Sequence, residues 1–258
     1  MRPVFAPDAI PAHHRVGLVY MASSTVMEPE MYAMAARGVS IHTSRLTLPA
    51  VTVEGIDAMM RSPELETAAR LVAQAPLDAL VFGGTSASFL HGTAWDRALV
   101  DRMTEWSGLP GRTTTTSTAS LAALKAVGAG PITLVTPYVP EVIARAERFF
   151  GENGHPVLAS RGLSVTDDHA LAEIPLEQVF ELAVEVDVPE ASAVFISCTN
   201  LHSVGVIAAL EAELGKPVIS AVQASFWHCL ELVDVDGAAP GYGSLFDGRL
   251  AHGADGAP

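Results

Sequence analysis

Two similar α/β halves, each a parallel sheet flanked by helices, are the fold class this sequence predicts, and three observations predict it. Short apolar runs, "RVGLVYMASS", "LDALVFGGTS", "GPITLVTPYV" and "ASAVFISCTN", end in small or polar residues. Their near-continuous apolar character is that of parallel strands covered on both faces. Between them lie longer stretches of helical period, which is the alternation of a βαβ chain. The third observation is a weak internal repeat: "VGLVYMASS" matches "ITLVTPYVP" and "ALVFGGTSAS" matches "AVFISCTNLH". A pseudo-twofold axis relating the halves is the simplest arrangement, with residues 1–120 plus 222–258 in one lobe and 121–221 in the other.

In chain order, the first strand ends at "ASSTVMEPE", where Ser23, Ser24 and Thr25 are either anion donors or an N-cap leading into Met27 and Glu28. "TVEGIDAMMRSPELETAARLVAQA" then reads as one helix. The next strand ends at "GGTSAS", in which two glycines permit a sharp turn and Thr85 and Ser86 offer hydroxyls at a helix start. Such a turn holds an anion, or it is a plain tight turn with Ser86 as N-cap. It lacks the Gly-Lys of a Walker loop and the G-x-G-x-x-G spacing of a dinucleotide fold. "TAWDRALVDRMTEWSG", "PEVIARAERFFGENG", "PLEQVFELAVEVD" and "SVGVIAALEAELG" are further helices, several closed by glycine or Asn-Gly. "TTTTSTASLAAL" and "VISAVQASFWHCL" occupy matching places in the two halves.

In the repeat, Gly84 stands opposite Cys198, Thr85 opposite Thr199 and Ser86 opposite Asn200. Ligands of open α/β sheets bind beyond the carboxyl ends of the strands, so these turns should face one another across a cleft, with Gly84, Thr85, Ser86, Tyr138, Thr199 and Asn200 as the candidates for binding a substrate carboxylate. Cys198 is a thiol for proton transfer or attack, its pKa lowered if it begins a helix, or else a small buried side chain. Cys229, among bulky apolar neighbours in "SFWHCLEL", reads as packing. Tyr138, after Pro137, either aims its phenol into the cleft or caps the sheet edge in water. Asp167 and Asp168 are caps of a helix beginning near His169, or Asp168 is a carboxylate of the cleft. His91, His169, His202 and His228 are scattered without metal-ligand spacing, so no metal site is expected. No Ser-His-Asp order or G-x-S-x-G elbow is present.

Bulk properties narrow the partners. The chain of 258 residues is 49% hydrophobic, enough for a large core, and carries a net charge of -14. An acidic surface argues against nucleic acid and anionic membrane. Two distant cysteines suit a reducing compartment without disulfides. The N-terminal "MRPVFAPDAIPAHHRVGLVYMA" has no unbroken apolar core before a small-residue cleavage site. No later run reaches the roughly 18 apolar residues of a membrane span, so a cytoplasmic location is expected. The tail "AHGADGAP" reads as frayed, and a monomer and a homo-oligomer are equally open.

The ordered set "GGTSAS", "TTTTSTA", "TPYVPE", "SCTN" and "PGYGSLFD" resembles the aspartate/glutamate racemase superfamily, and within it the arylmalonate decarboxylase and maleate cis-trans isomerase branch. That resemblance implies two α/β subdomains with the active site between them, and no cofactor. Racemases and maleate isomerases there use one cysteine from each half, whereas here the first position is Gly84. A retained second cysteine with a "GTS" turn is the arylmalonate decarboxylase pattern. By that resemblance Thr85, Ser86, Tyr138 and the amides of Cys198 and Thr199 bind one carboxylate of a small dicarboxylate. Leu48 and Val51 form an apolar wall around the other, and Cys198 protonates the enediolate. Three departures stand out: Asp168 where an aliphatic residue is expected, Ser24 where the isomerase motif carries asparagine, and Thr199 and Asn200 in place of two glycines, narrowing the pocket. The leading expectation is a cofactor-independent decarboxylase of a substituted malonate. A cis-trans isomerase or racemase of a small dicarboxylate, and a silent carboxylate-binding protein, are its alternatives.

Overall fold

The computed structural model describes residues 14–36, 38–235 and 240–247. The expectations for the N-terminal leader and the tail fall outside these residues. Eight strands run β1 His14–Met21, β2 Val39–Leu46, β3 Ala79–Phe82, β4 Thr113–Thr115, β5 Ile132–Thr136, β6 Val157–Gly162, β7 Ala193–Ile196 and β8 Val218–Ser220. They form two four-stranded sheets of order β2-β1-β3-β4 and β6-β5-β7-β8, and all pairings are parallel. The second sheet repeats the order of the first, as two similar subdomains require.

The central strands are buried throughout, "ALVF" in β3 and "AVFI" in β7. Helices on both faces hide them from water, which is why they read as unbroken apolar runs. In each sheet the chain leaves the first strand for one neighbour and returns on its other side for the next. The strand order reverses there, between β1 and β3 and between β5 and β7. Crevices open beyond the carboxyl ends at such points. The four strand ends carry Met21, Gly84, Tyr138 and Cys198 within a few residues.

Helices Thr116–Ala126 and Ala221–Leu232 join the halves. Ser225 Oγ, on the second, donates to Thr116 Oγ1, on the first, at 3.1 Å. The second helix starts in a capping box: Ser220 Oγ accepts from Gln223 N at 3.1 Å, and Gln223 Oε1 accepts from Ser220 N at 3.3 Å. Gly108 and Gly215 close helices Thr93–Ser107 and Ile207–Leu214 in left-handed conformation.

Several local expectations are corrected. The helix read across "TVEGIDAMMRSPELETAARLVAQA" is two helices, Val53–Arg61 and Glu64–Val72. Pro63 forces Ser62 out of helical conformation, to ψ 141°. The helix read over "SVGVIAALEAELG" opens with a 3-10 turn, Val204–Val206, before Ile207–Leu214. Helix Met27–Met34 follows Val26 without any side-chain cap, so Ser23, Ser24 and Thr25 do not cap it. Helix Thr85–Phe89 follows Gly84, also uncapped, so Ser86 lies inside it.

Candidate functional site

The two switch points meet at a small cavity of about 20 Å³. The first half supplies Met21, Leu48, Val51, Thr85 and Ser86, and the second supplies Tyr138, Asp168, Leu171, Cys198, Thr199 and Asn200. A volume near 20 Å³ holds little more than one water. A larger ligand enters only if the walls part. The backbone bond from Val51 N to Thr166 O, 2.9 Å, ties a first-half loop to a second-half loop beside the cavity.

Cys198 sits two residues after the end of β7, 4% exposed, with φ at +144°. A side chain at that φ is strained, and the neighbouring bonds hold it. Tyr20 Oη donates to Thr199 O at 2.7 Å and Thr199 Oγ1 donates to Gly83 O at 2.7 Å. Asn200 Oδ1 accepts from Thr25 N at 2.9 Å, and Asn200 Nδ2 donates to Asp168 O at 2.6 Å. Three residues further on, Ser203 N donates to the buried Glu30 carboxylate at 2.8 Å. The cysteine loop is thus fixed from the first half along its whole length. No helix begins at Cys198, contrary to the sequence expectation; the next helical turn starts at Val204.

The thiol is correspondingly not activated. Burial pushes it up to about 12 from an ordinary 9.0. The Asn200 N–H on its sulfur, at 3.3 Å, opposes the rise and the Asp168 carboxylate reinforces it. Cys198 is a protonated thiol at neutral pH. Cys229, fully buried and also free, is likewise pushed up to about 12 by burial. Below pH 9 the folded and unfolded chains both hold protonated thiols and this contribution to stability is whole. Between about 9 and about 12 the unfolded chain loses those protons while the folded chain keeps them, so stability declines. The expected result is that iodoacetamide at pH 8 labels neither cysteine of the folded protein and both after denaturation, read by mass spectrometry. The melting temperature should begin to fall above pH 9.

Tyr138 is buried, its hydroxyl beside the Cys198 thiol and the Ser86 hydroxyl, and burial raises its pKa well above the ordinary value. It is a neutral donor facing the cavity, not a cap in water. Thr85 Oγ1 is buried without a hydrogen-bond partner among the described residues, and Ser197 Oγ has the Tyr138 phenol as its neighbour. Buried hydroxyls in folded proteins seldom stand unpaired.

The two aspartates divide the roles the sequence left open. Asp167 caps helix Asp168–Ala172, accepting from Ala170 N at 3.1 Å. Asp168, 7% exposed, lines the cavity, and its Oδ2 accepts from Ser23 Oγ and Ser24 Oγ, each at 2.7 Å. Ser23 and Ser24 are therefore not on the cavity wall but behind it. Gly84 is also off the wall. A Cβ at Gly84 would lie 2.6 and 2.8 Å from the buried Phe82 ring. Gly84→Cys should overpack this spot and cost about 1–3 kcal/mol in thermal unfolding.

Met21 and Leu171 are wall residues that sequence reasoning missed. Leu171 had a signal, three residues after Asp168 on one helix, where both share a face. "TTTTSTA" is structural: Thr114 Oγ1 pairs with His228 Nδ1 at 2.9 Å and Thr116 Oγ1 donates to Phe82 O at 3.2 Å. "PGYGSLFD" packs against helix Ile207–Leu214, with Ser244 N donating to Glu211 at 2.8 Å, and stays away from the cavity. Among the described residues no cluster of three His, Cys, Asp or Glu is placed to hold a metal, and no helix is long and apolar enough to cross a membrane.

Known proteins are similar to this chain in sequence and fold. The sequence is 36% identical over 207 residues to the arylmalonate decarboxylase of Bordetella bronchiseptica, covering 79% of this chain and 85% of that one. It is 29% identical over 242 residues to the maleate isomerase of Nocardia farcinica, covering 90% and 94%. A liganded arylmalonate decarboxylase mutant, with one glycine changed to cysteine and one cysteine to serine, matches with TM-score 0.84 at 32% identity over 91% of this chain and 99% of that one. A Nocardia farcinica maleate cis-trans isomerase mutant carrying a covalently bound succinylcysteine intermediate matches with TM-score 0.85 at 26% identity, covering 90% and 98%. The family model described as arylmalonate decarboxylase matches residues 16–246, nearly the whole of the described chain, and the chain therefore belongs to the arylmalonate decarboxylase family.

Proposed function

We propose that the protein decarboxylates a substituted malonate without a cofactor, with Cys198 as the sole proton donor to carbon. One carboxylate of the substrate takes hydrogen bonds from the Tyr138, Thr85 and Ser86 hydroxyls. The other points at the apolar wall of Leu48, Val51 and Met21, where a carboxylate is poorly solvated. The C–C bond breaks, neutral CO₂ leaves, and the electron pair passes into the retained carboxylate as an enediolate. Donors already aimed at that carboxylate bind the enediolate more strongly than the ground state, which is how such donors lower the barrier. The Cys198 S–H proton then moves to the α-carbon, and the thiolate regains a proton from solvent.

The observation that carries this reading is a single cysteine on the cavity wall, with Gly84 at the matching strand end of the other half, where an added Cβ would press on the Phe82 ring. A racemase needs a second acid or base on the opposite face, and an isomerase that adds sulfur to a double bond needs a thiolate. The Nocardia relative with a succinylcysteine intermediate makes the isomerase the one alternative worth testing beside it. Purified protein given phenyl- and alkyl-substituted malonates and maleate, followed by proton NMR, should release CO₂ from a malonate and leave maleate unchanged. Conversion of maleate to fumarate with the malonates untouched overturns the proposal.

A further inference from the structure

Asp168 has no place in the chemistry just described, and its surroundings do not neutralise it. It is a carboxylate 7% exposed on the wall of the cavity, and its only side-chain partners are two neutral hydroxyls, both on Oδ2. Oδ1 has no protein donor among the described residues. Among the described residues no lysine, arginine or histidine lines the cavity. Arg45, the cation behind the Ser23–Thr25 turn, is spent elsewhere: Nη1 donates to Ser24 O at 2.7 Å and Met21 O at 2.9 Å, and Nη2 pairs with Glu28. His202, in the cysteine loop, faces Glu30. A buried carboxylate without a cationic partner is costly, and one on the wall of a ligand cavity is stabilised if the ligand brings the positive charge. A dianionic malonate alone makes the imbalance worse.

We propose that Asp168 is a specificity residue, and that the substrate carries an ammonium group on its α-carbon or α-substituent which Asp168 Oδ1 receives. This rests on the decarboxylase reading for the rest of the substrate. Ser23 and Ser24 are the positioning residues: their hydroxyls occupy Oδ2 and leave Oδ1 to a ligand. The product of such a reaction is an α-amino acid or an amine-bearing carboxylic acid.

The test uses the full-length protein. Calorimetric binding is measured on Cys198→Ala, and CO₂ release on the chain with Cys198 intact, with aminomalonate, methylmalonate and phenylmalonate. Each is repeated in Asp168→Val and Asp168→Asn backgrounds, the second nearly isosteric in case the first fails to fold. Aminomalonate should bind at least tenfold tighter than methylmalonate. Asp168→Asn should remove most of that preference, and Asp168→Val should reverse it toward the alkyl and aryl compounds. Release of CO₂ from phenylmalonate with no preference for the amine, or a preference unchanged by both substitutions, overturns the inference and leaves the decarboxylase reading in place. Amine-selective binding that depends on Asp168, without CO₂ release from any malonate, sustains the inference and overturns that reading. Failure of every malonate to bind overturns both.

Discussion

Cys198→Ala should lower decarboxylation by about 10²–10⁴-fold while leaving substrate affinity within a few-fold of the parent. The carboxylate donors are Tyr138, Thr85 and Ser86, and the Tyr138 phenol, which touches the sulfur, keeps Ser86 as a neighbour when the sulfur is removed. The loop itself is held by Tyr20, Asn200 and Glu30 through bonds that do not involve the thiol. What the substitution removes is the proton, together with the sulfur's contacts to the Asn200 N–H, at 3.3 Å, and to the Tyr138 hydroxyl. Turnover and calorimetric binding on the same preparation check both halves of the expectation. A protein that serves only as a carboxylate sensor would show the binding with no turnover to lose.

Tyr138→Phe is expected to lower kcat by about 10²–10³, the loss typical of one donor to a developing oxyanion. The Tyr138 phenol is neutral and buried beside Cys198 and Ser86, so it is preorganised and needs no rearrangement as charge develops. Because the enediolate carries more charge on that oxygen than the carboxylate does, the effect should fall on kcat more than on KM. The ring remains to pack against Phe89, an edge contact at 6.3 Å between centroids, so the melting temperature should change little. Steady-state kinetics and a thermal scan separate these outcomes. An equal rise in KM with kcat unchanged would assign Tyr138 to ground-state binding alone.

The halves were legible because β1, β3, β5 and β7 are covered on both faces and so carry unbroken apolar runs. The strands beside them were harder to see. β2, "VSIHTSRL", is an edge strand with mostly half-buried polar residues, and β4 is three buried threonines whose hydroxyls turn to main chain and side chains nearby. The repeat aligned Gly84 with Cys198 and so found both sides of the cleft, although Gly84 proves to matter through the Phe82 ring behind it, two residues away and invisible to any motif. Ser23 and Ser24 were legible as polar turn residues but not as partners of Asp168, because that pairing joins segments 145 and 144 residues apart. Glu30 left no signal at all: it lies on an ordinary helix, and its role comes from the Ser203 amide that the fold brings to it from 173 residues away. Local sequence carries strand ends and turns, while cross-cleft bonds are set by how the two sheets face each other.

The central claim is that one neutral thiol delivers one proton to one face of the intermediate. It is tested most directly by decarboxylating a prochiral disubstituted malonate in deuterated water and analysing the α-carbon of the product. A single enantiomer carrying one deuterium is the predicted result. Racemic product, or the same enantiomer formed at an undiminished rate by Cys198→Ala, would contradict it.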